Sequence, residues 1–318
     1  MRFVYLMDAM DRVLPDKDTT YAFQRAAQAR GHEALHCELR DLFVQDGEVH
    51  AHVRGLSVEE AAPYFRLGAA SQVRLADVEA VFIRKDPPFD DAYLYATLML
   101  ERARGRTVIV NDPRGLRDAN EKLYALHFAR HMPRTLVTTR AASVTAFLDE
   151  VGGRAVVKPL DGAGGAGVLL LTKGDKNTKS ILELLTAEGR KLVMAQEFLP
   201  AVTAGDKRVL LLDGEVLGAI NRVPLGDDIR SNIHVGGRVE PCEVTDAERA
   251  IVADLAPRLR ADGLVFVGLD LIGGHLTEVN VTSPTGIQEL SRHRGEDVAA
   301  RVIEWVERKA LELLPSLP

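Results

Sequence analysis

The sequence predicts an α/β and α+β protein in which an N-terminal doubly wound parallel sheet is followed by strand-rich units of a different kind. In the first third of the chain, short apolar runs alternate with helical patterns, as in βαβ units. In the remainder, pairs of β-branched runs flank short turns that contain glycine, which is typical of antiparallel hairpins. At 318 residues the chain is too long for one ordinary core, so two or three packed units are expected.

Four buried strands are predicted in the first third, at residues 3–7, 34–39, 78–84 and 107–111. Asp18 is placed to cap a helix that ends near Arg30, with Gly31 just beyond its end. A second helical pattern covers residues 92–104. Because parallel sheets bind ligands at the carboxyl ends of their strands, Asp8 and the run at 84–88 are candidate site residues.

The remainder contains a different set of elements. Its predicted strands lie at 155–159, 167–172, 192–198, 208–212, 215–222, 265–272 and 276–281, with a helix near 178–188. Asp213-Gly214 and Gly273-Gly274 are the expected hairpin turns. Residues 224–238 show weak periodicity and are rich in glycine, so we predict a long mobile loop that closes over the site as a lid.

Composition argues against several classes of protein. The net charge of −6, from 40 basic and 46 acidic side chains, is unfavourable for a nucleic-acid partner. The two cysteines lie far apart, which argues against a disulfide scaffold or a cysteine zinc site. The N-terminal apolar run ends at Asp8, and no apolar stretch approaches the roughly 18 residues needed to span a bilayer. We therefore expect a cytoplasmic protein without a membrane partner.

A glycine-rich loop at residues 161–167 is the first candidate binding element. Its glycines allow positive φ angles and bring backbone N–H groups close to an anion; they are Gly162, Gly164, Gly165 and Gly167. The loop joins strand to strand, whereas a dinucleotide fingerprint or a P-loop leads into a helix. Two interpretations remain open, a flexible hairpin over a polyphosphate and a plain glycine-rich hairpin.

Two lysines accompany this loop. Lys158 lies inside an apolar strand just before it, and a buried lysine requires an anion, so a phosphate is a natural partner. Lys122 is predicted to begin a helix and could serve similarly. Taken alone, Lys122 is better explained as a solvated helix lysine, because lysines are mostly exposed.

Three oxygen-bearing side chains form a candidate metal site. Glu278 and Asn280 are two apart in a strand and therefore share one face. A three-residue turn centred on Gly274 would place Asp270 opposite Glu278, whereas a two-residue turn would put Asp270 on the other face. Two adjacent carboxylates in an apolar sheet suit Mg²⁺, and Mn²⁺ is an alternative. The competing interpretation is the polar outer face of an amphipathic hairpin.

Three arginines complete the set of candidates. Arg208 and Arg222 flank the Asp213-Gly214 turn, Arg230 lies in the long loop, and arginine suits bidentate capture of carboxylate or phosphate. Singly, each arginine is better explained as a surface residue. No activated serine, cysteine or aspartate nucleophile is apparent, so we expect direct phosphoryl transfer from a bound polyphosphate to a substrate oxygen.

Several runs in this chain resemble the bacterial glutathione synthetase family of the ATP-grasp superfamily. The resemblance extends over nearly the whole chain and is strongest at residues 84–90, 117–123, 158–162, 205–208, 266–270 and 276–284. It implies an N-terminal substrate domain at 1–121, a central ATP-grasp lobe at 122–199 and a C-terminal ATP-grasp lobe at 200–318. It also implies ligation of γ-glutamylcysteine to glycine through an acyl phosphate, and a homotetramer, which is common among members.

The resemblance also assigns roles to individual residues. The ATP site would comprise Lys122, Lys158, Asp206, the four loop glycines and a hinge that reads the adenine edge, formed by Glu197, Phe198 and Leu199. Magnesium would be held by Asp270, Glu278 and Asn280, and catalysis assisted by Arg208, Arg222 and Arg230. The peptide would be held by Arg84, Gly236, Gly237, Ser283, Pro284 and Thr285.

Two departures from the family pattern lie near the substrate end. The loop 226–237 differs from the smaller, alanine-rich version associated with the family, and Gly286 stands where a cysteine often follows Ser-Pro-Thr. These differences affect the assignment of glycine as the amine acceptor more than the assignment of ATP as the nucleotide. The alternatives are an ATP-grasp ligase that uses another amine and a regulatory module that binds ATP without catalysis. A Rossmann oxidoreductase is disfavoured by the strand–loop–strand context of the glycines.

Overall fold

The computed structural model describes residues 1–162, 164–224 and 238–313, and in these ranges the strands form three sheets. The seven-stranded sheet of the first third consists of β1 (Arg2–Leu6), β2 (Glu33–Cys37), β3 (Leu42–Gln45), β4 (Glu48–Val58), β5 (Phe65–Arg74), β6 (Ala80–Ile83) and β7 (Val108–Val110). Its accompanying helices are α1 (Thr19–Ala29), α2 (Asp91–Leu100) and α3 (Pro113–Asp118).

The predicted doubly wound parallel sheet is confirmed at the centre of this domain. Strand β1 pairs in parallel with β2 and β6, and β6 pairs in parallel with β7. Alternate β1 side chains face opposite layers: Tyr5 packs with α1 and Leu6 with α2. The Asp18 side chain accepts from Tyr21 N at 2.7 Å, so the predicted cap of α1 is also confirmed.

The sequence analysis did not identify the antiparallel strands β4 and β5 that extend this sheet. They pair with each other, and β4 also pairs with β2 and β3. Nearly every side chain of β5 is exposed or half-buried, so the strand lacks the apolar alternation that marks a strand with one buried face.

The other two sheets divide the remainder of the chain. The four-stranded sheet and its helices comprise β8 (Thr135–Thr138), α4 (Ala141–Glu150), β9 (Arg154–Pro159), β10 (Leu169–Thr172), α5 (Thr178–Leu185) and β11 (Val193–Glu197). The five-stranded sheet and its helices comprise β12 (Asp206–Leu212), β13 (Glu215–Val223), β14 (Arg238–Cys242), α6 (Asp246–Ala261), β15 (Phe266–Ile272), β16 (His275–Asn280), α7 (Ile287–Arg294) and α8 (Val298–Leu313).

The central unit has a hydrophobic core of its own, whereas the first and last units have their apolar clusters in common. The central unit has a core of its own around Val144, Val157 and Val193. The first and last units share two apolar clusters, because α8 packs against α1 and places Trp305 in the same cluster as Phe3. Among the described residues, no helix is both long enough and apolar enough to cross a membrane.

Candidate active site

Two adjoining cavities lie where the three units meet. The first is lined mainly by the four-stranded and five-stranded sheets, and the second extends from the five-stranded sheet to the N-terminal domain. Both are lined by Glu121, Gly164 and Glu278. A ligand in one cavity can therefore meet a ligand in the other at these residues.

The glycine loop covers the first cavity. It joins β9 to β10, which pair antiparallel, so the predicted strand–loop–strand context is confirmed. Gly164, Gly165 and Gly167 adopt φ angles of +62°, +84° and +74°, a region that favours glycine. A Cβ on Gly162 would lie 2.7 Å from the carbonyl oxygen of Ala166, so this position also requires glycine. Gly162, Gly164 and Gly165 line the cavity, and Gly167 packs against Pro159.

Lys122 and Lys158 both lie buried at this cavity. Lys158 Nζ donates to Glu278 Oε1 at 3.0 Å, and Lys122 Nζ donates to the carbonyl oxygen of Gly162 at 2.6 Å. Lys122 also pairs with Glu121 and lies 4.0 Å from Glu278. The interpretation of Lys122 as a solvated helix lysine is therefore wrong: it precedes the 3₁₀ helix at Tyr124–His131 and its ammonium is enclosed by oxygens.

The charged residues of the five-stranded sheet share one face. Asp206 is opposite Arg222, Arg208 is opposite Asp270, and Asp270 is opposite Glu278. The predicted opposition of Asp270 and Glu278 is confirmed, but the predicted three-residue turn is wrong. Ile272 pairs with His275 across a two-residue turn, and an irregularity in the register after Asp270 restores the alignment.

Arg208 and Arg222 converge on Asp270. Arg208 binds both carboxylate oxygens, at 2.5 and 2.9 Å, and Arg222 lies 3.0 Å from Oδ1. Burial opposes ionisation of Asp270, but the two guanidinium groups outweigh it and hold the pKa of this carboxyl below its usual range. Burial raises the pKa of Asp206 to about 6 even though Arg222 lies 2.6 Å away.

Glu278 is the point at which the two lobes meet. Burial opposes its charge, but Lys158 and Lys122 outweigh that effect and lower the pKa of Glu278.

Burial and the nearby Glu278 raise the pKa of Glu121. The sequence analysis gave Glu121 no role, although it precedes Lys122; its backbone carbonyl accepts from Val279 N at 2.9 Å and so ties the segment to β16.

The proposed metal ligands lie together. Asn280 Nδ2 donates to Asp270 Oδ2 at 3.2 Å, and Glu278 is the register partner of Asp270. Two carboxylates and an amide are oxygen donors of the kind that Mg²⁺ prefers. Nowhere in the described ranges do three His, Cys, Asp or Glu side chains form a metal-binding group, so any site here depends on the amide of Asn280.

The segment 197–199 lines the first cavity at the end of β11. Glu197 N and Phe198 N donate to the carbonyl oxygens of Arg134 and Arg154, at 2.9 and 3.2 Å. The guanidinium of Arg154 lies 3.9 Å from the Phe198 ring centroid and holds that side chain in place. In the part of the chain that the structure describes, the N–H of Leu199 forms no hydrogen bond and remains available to a ligand in this cavity.

Ser283, Pro284 and Thr285 line the second cavity with Arg208 and Arg222. Arg84 lies behind them and lines neither cavity. It donates to Pro284 O at 3.0 Å and Thr20 Oγ1 at 3.1 Å while stacked between Phe23 and Phe266. Arg84 therefore fixes the position of the Ser-Pro-Thr segment from its buried side.

Three predicted site residues, Arg230, Gly236 and Gly237, lie outside the described residues, as does most of the predicted lid. Sequence reasoning also missed Glu289, which lines the second cavity from the first turn of α7. Its signal was weak, because an acidic residue in a first helical turn is ordinarily explained by the helix dipole.

Comparison with known proteins gives consistent matches. A family model described as prokaryotic glutathione synthetase, N-terminal domain, matches residues 1–117, and one described as prokaryotic glutathione synthetase, ATP-grasp domain, matches residues 121–295. Glutathione synthetase of Synechococcus elongatus is 48% identical over 96% of this chain and 98% of the relative. That of Agrobacterium fabrum is 42% identical over 95% of both chains.

Solved structures resemble the chain in fold. D-cycloserine synthetase DcsG aligns over 98% of this chain and 100% of its own, with a TM-score of 0.66 and 19% identity. The ATP-grasp ligase PsnB aligns over 97% of this chain and 98% of its own, with a TM-score of 0.61 and 18% identity. The predicted combination of an N-terminal domain with an ATP-grasp fold is confirmed.

Proposed function

The chain belongs to the prokaryotic glutathione synthetase family, and we propose that it uses the two cavities to join γ-glutamylcysteine to glycine at the expense of ATP. It is an ATP-dependent ligase that forms a carbon–nitrogen bond. The observation that carries the assignment of residues is the meeting of the central-lobe lysines with the acidic face of the five-stranded sheet at Glu278. One cavity on each side of Glu278 suits a nucleotide and a peptide.

ATP binds in the first cavity in this proposal. The adenine edge meets the 197–199 segment, with Leu199 N–H as its donor, and the phosphates extend beneath the glycine loop towards Lys122 and Lys158. The glycine backbone N–H groups and both ammonium groups supply positive charge where the phosphates would lie. Asp206 acts at this site through Arg222, which it binds at 2.6 Å.

Asp270, Glu278 and Asn280 are proposed to hold Mg²⁺, and Mn²⁺ fits the same oxygen ligands. In the structure the charge of each carboxylate is balanced by protein cations: Arg208 and Arg222 surround Asp270, and Lys158 contacts Glu278. This balance keeps the buried Asp270 and the half-buried Glu278 ionised, which is the form in which a carboxylate binds a cation. The metal, when bound, offsets the negative charge of the phosphates.

The dipeptide is proposed to lie in the second cavity with its cysteinyl carboxylate near Arg208 and Arg222. One oxygen of that carboxylate attacks the γ-phosphorus, ADP leaves, and the glycine amine then displaces phosphate from the acyl phosphate. Arg222 would stabilise the oxyanion of the tetrahedral intermediate. Among the described lining residues of both cavities there is no histidine or cysteine, so neither a Ser–His nor a Cys–His nucleophile is available.

The decisive assay measures ADP release with γ-glutamylcysteine and a panel of amines. Glycine should support the fastest turnover, and omission of the dipeptide should abolish ADP release. Faster turnover with a different amine would assign the chain to another ATP-grasp ligation. No ADP release with any dipeptide–amine pair would indicate a regulatory module that binds ATP.

A cytoplasmic location and a homotetrameric assembly are also part of this proposal. Cys37 and Cys242 are both free, as expected in a reducing compartment. Tyr95 and Leu98 of α2 are 60% and 46% exposed, and self-association would cover such apolar side chains. Light scattering with size-exclusion chromatography would measure the mass, and a monomer at working concentration would refute the assembly.

A further inference from the structure

The junction of the two cavities is where the incoming amine must lose its protons. Glycine is almost entirely an ammonium ion at neutral pH, and an ammonium nitrogen has no lone pair with which to attack an acyl phosphate. Amide formation removes two protons from this nitrogen, one before the attack and one as phosphate leaves. The group that accepts the first proton has to lie where the nucleotide cavity meets the peptide cavity, because the acyl phosphate forms there.

Glu121 lies at that junction. Among the described lining residues, both cavities share Glu121, Gly164 and Glu278, so two carboxylates reach the junction. Glu121 is half-buried, and its side chain is 19% exposed. Its carboxylate is therefore accessible from the cavities and close to the expected position of the acyl carbon.

The other carboxylates around the junction are already used for charge balance. Asp270 is bound by two guanidinium groups, and Asp206 lies 2.6 Å from Arg222. Glu278 accepts from Lys158 at 3.0 Å and is also a proposed metal ligand. An ammonium group that approached any of these three would compete with a cation that is held more firmly.

Glu121 differs because its cationic partner has another destination. Among the described residues, its carboxylate forms an ion pair only with Lys122. Lys122 Nζ also donates to the carbonyl oxygen of Gly162 at 2.6 Å, under the loop where the phosphates are proposed to lie. A phosphate carries more negative charge than a carboxylate and attracts an ammonium group more strongly. Once ATP draws Lys122 towards its phosphates, Glu121 is left to receive the amine.

The backbone of this segment is held in place without the Glu121 side chain. The carbonyl oxygen of Glu121 accepts from Val279 N at 2.9 Å. Asn120 Oδ1 accepts from Lys122 N at 3.1 Å, and Asn120 Nδ2 donates to the carbonyl oxygen of Leu160 at 2.9 Å. Replacement of the carboxylate alone should therefore leave the segment where it is.

We propose that the carboxylate of Glu121 binds the ammonium group of the incoming amine and takes its first proton. The inference rests on the proposed function, because it takes the acyl phosphate and glycine as reactants. The free amine forms the carbon–nitrogen bond at the acyl carbon, and the carbon–oxygen bond to phosphate breaks. The second proton leaves with the phosphate, and Glu121 passes the first proton to solvent.

A simpler role for Glu121 is to hold Lys122 in position for ATP. The two roles predict different measurements. Loss of that support slows phosphoryl transfer, raises the KM for ATP and affects every amine alike. Loss of the proton acceptor slows only the step after phosphoryl transfer, and only for an amine that arrives protonated. Hydroxylamine is largely unprotonated at neutral pH and therefore separates the two roles.

The test compares glycine with hydroxylamine at neutral pH, with saturating ATP, Mg²⁺ and γ-glutamylcysteine. With glycine, the kcat of Glu121→Gln should fall by roughly 10²-fold or more, as for the loss of a general base. Hydroxamate formation from hydroxylamine should stay within about threefold of the wild-type rate. Rapid-quench measurement of the first turnover should show ADP formed at the wild-type rate. Glu183→Gln, an exposed change on α5, is the control and should match the wild-type enzyme with both amines.

An equal loss with both amines would overturn the assignment, and so would an unchanged kcat with glycine in the folded variant. If Glu121→Gln does not fold, Glu121→Asp keeps the charge but withdraws the carboxylate by one methylene, and it should lose activity with glycine alone. Equal effects of Glu121→Asp on both amines would overturn the proposal. If the wild-type enzyme releases no ADP with γ-glutamylcysteine and glycine, the proposed function itself fails, which differs from a result confined to the Glu121 variants.

Discussion

Lys158 Nζ donates a hydrogen bond to Glu278 Oε1 across 3.0 Å, and this contact joins the central four-stranded sheet to the five-stranded sheet. The lysine is buried and the carboxylate is half-buried, so neither charge is well solvated. Each compensates the other until a nucleotide and a metal ion bring charges of their own. This pair links the two lobes and also marks where phosphoryl transfer is expected.

Glu278→Gln tests this relationship directly. The substitution keeps the side-chain volume but removes the charge that holds Lys158 and would bind the metal. We expect kcat/KM to fall by roughly 10²–10³-fold, with a melting temperature close to that of the wild-type protein. Glu215→Gln, an exposed change on the same sheet, is the matched control and should retain activity. Near-normal turnover of Glu278→Gln at saturating Mg²⁺ would remove Glu278 from the metal site.

Metal removal tests the oxygen ligand set. Treatment with a chelator should abolish ADP release, because the phosphates would then face Asp270 and Glu278 without a compensating divalent cation. Addition of Mg²⁺ should restore activity, and Mn²⁺ should substitute for it. Undiminished ADP release in excess chelator would show that the reaction does not need the site at Asp270, Glu278 and Asn280.

Asn111 joins the N-terminal domain to the five-stranded sheet through its side chain, and we predict that its replacement destabilises the fold. Its Nδ2 donates to the carbonyl oxygens of Phe266 and Val281 at 2.9 and 2.7 Å, and its Oδ1 accepts from the N–H groups of Val265 and Phe266 at 2.8 and 2.7 Å. Asn111→Ala leaves these backbone groups unpaired, which should cost about 3 kcal/mol or more.

Thermal or urea unfolding measures that cost. Asn177→Ala, at an exposed position before α5, is the control and should change stability by less than about 0.5 kcal/mol. A wild-type melting temperature in Asn111→Ala would show that the four hydrogen bonds contribute no net stability.

Glu307 should make the docking of α8 dependent on pH. Its contacts with Arg30 and His32 lower the pKa of Glu307 from 4.5 to about 2. A carboxyl with a depressed pKa in the folded state stabilises the fold above its unfolded pKa and loses that contribution as the pH falls towards the folded value. The difference in melting temperature between wild type and Glu307→Gln should therefore shrink as the pH falls from about 4.5 towards 2.

Glu304→Gln provides the control for this comparison, since Glu304 is more exposed and, among the described residues, forms an ion pair only with Arg30. Its effect should be smaller at every pH. A difference between wild type and Glu307→Gln that grows as the pH falls below about 4.5 would contradict the proposed linkage.

The structural elements that could be predicted from the sequence are those marked by a pattern within a few neighbouring residues. The parallel strands β1, β2, β6 and β7 are buried apolar runs, and Asp18 has the position of a helix cap. The glycine loop was correctly placed between strands because the apolar runs on both sides are clear. The face shared by Glu278 and Asn280 follows from the two-residue period of a strand.

Other features depend on contacts that no local pattern contains. The register irregularity between β15 and β16 aligns Asp270 with Glu278 despite a two-residue turn, and turn length alone predicts the opposite face. Lys122 is buried only because Gly162 and Glu278 approach it from two other segments. The return of α8 to the N-terminal domain depends on apolar side chains more than two hundred residues apart in sequence, such as Phe3 and Trp305.

The most direct test of the proposed acyl-phosphate mechanism is to trace an isotopically labelled oxygen atom of the substrate. The enzyme is incubated with ATP, glycine and γ-glutamylcysteine labelled with ¹⁸O in the cysteinyl carboxylate, and the released phosphate is examined by mass spectrometry. Attack of the carboxylate on the γ-phosphorus, followed by displacement of phosphate by the glycine amine, transfers one labelled oxygen to each phosphate. We predict label in the phosphate in step with glutathione formation. Retention of all the label in the peptide would contradict the acyl-phosphate route and, with it, the proposed arrangement of the two cavities around Glu278.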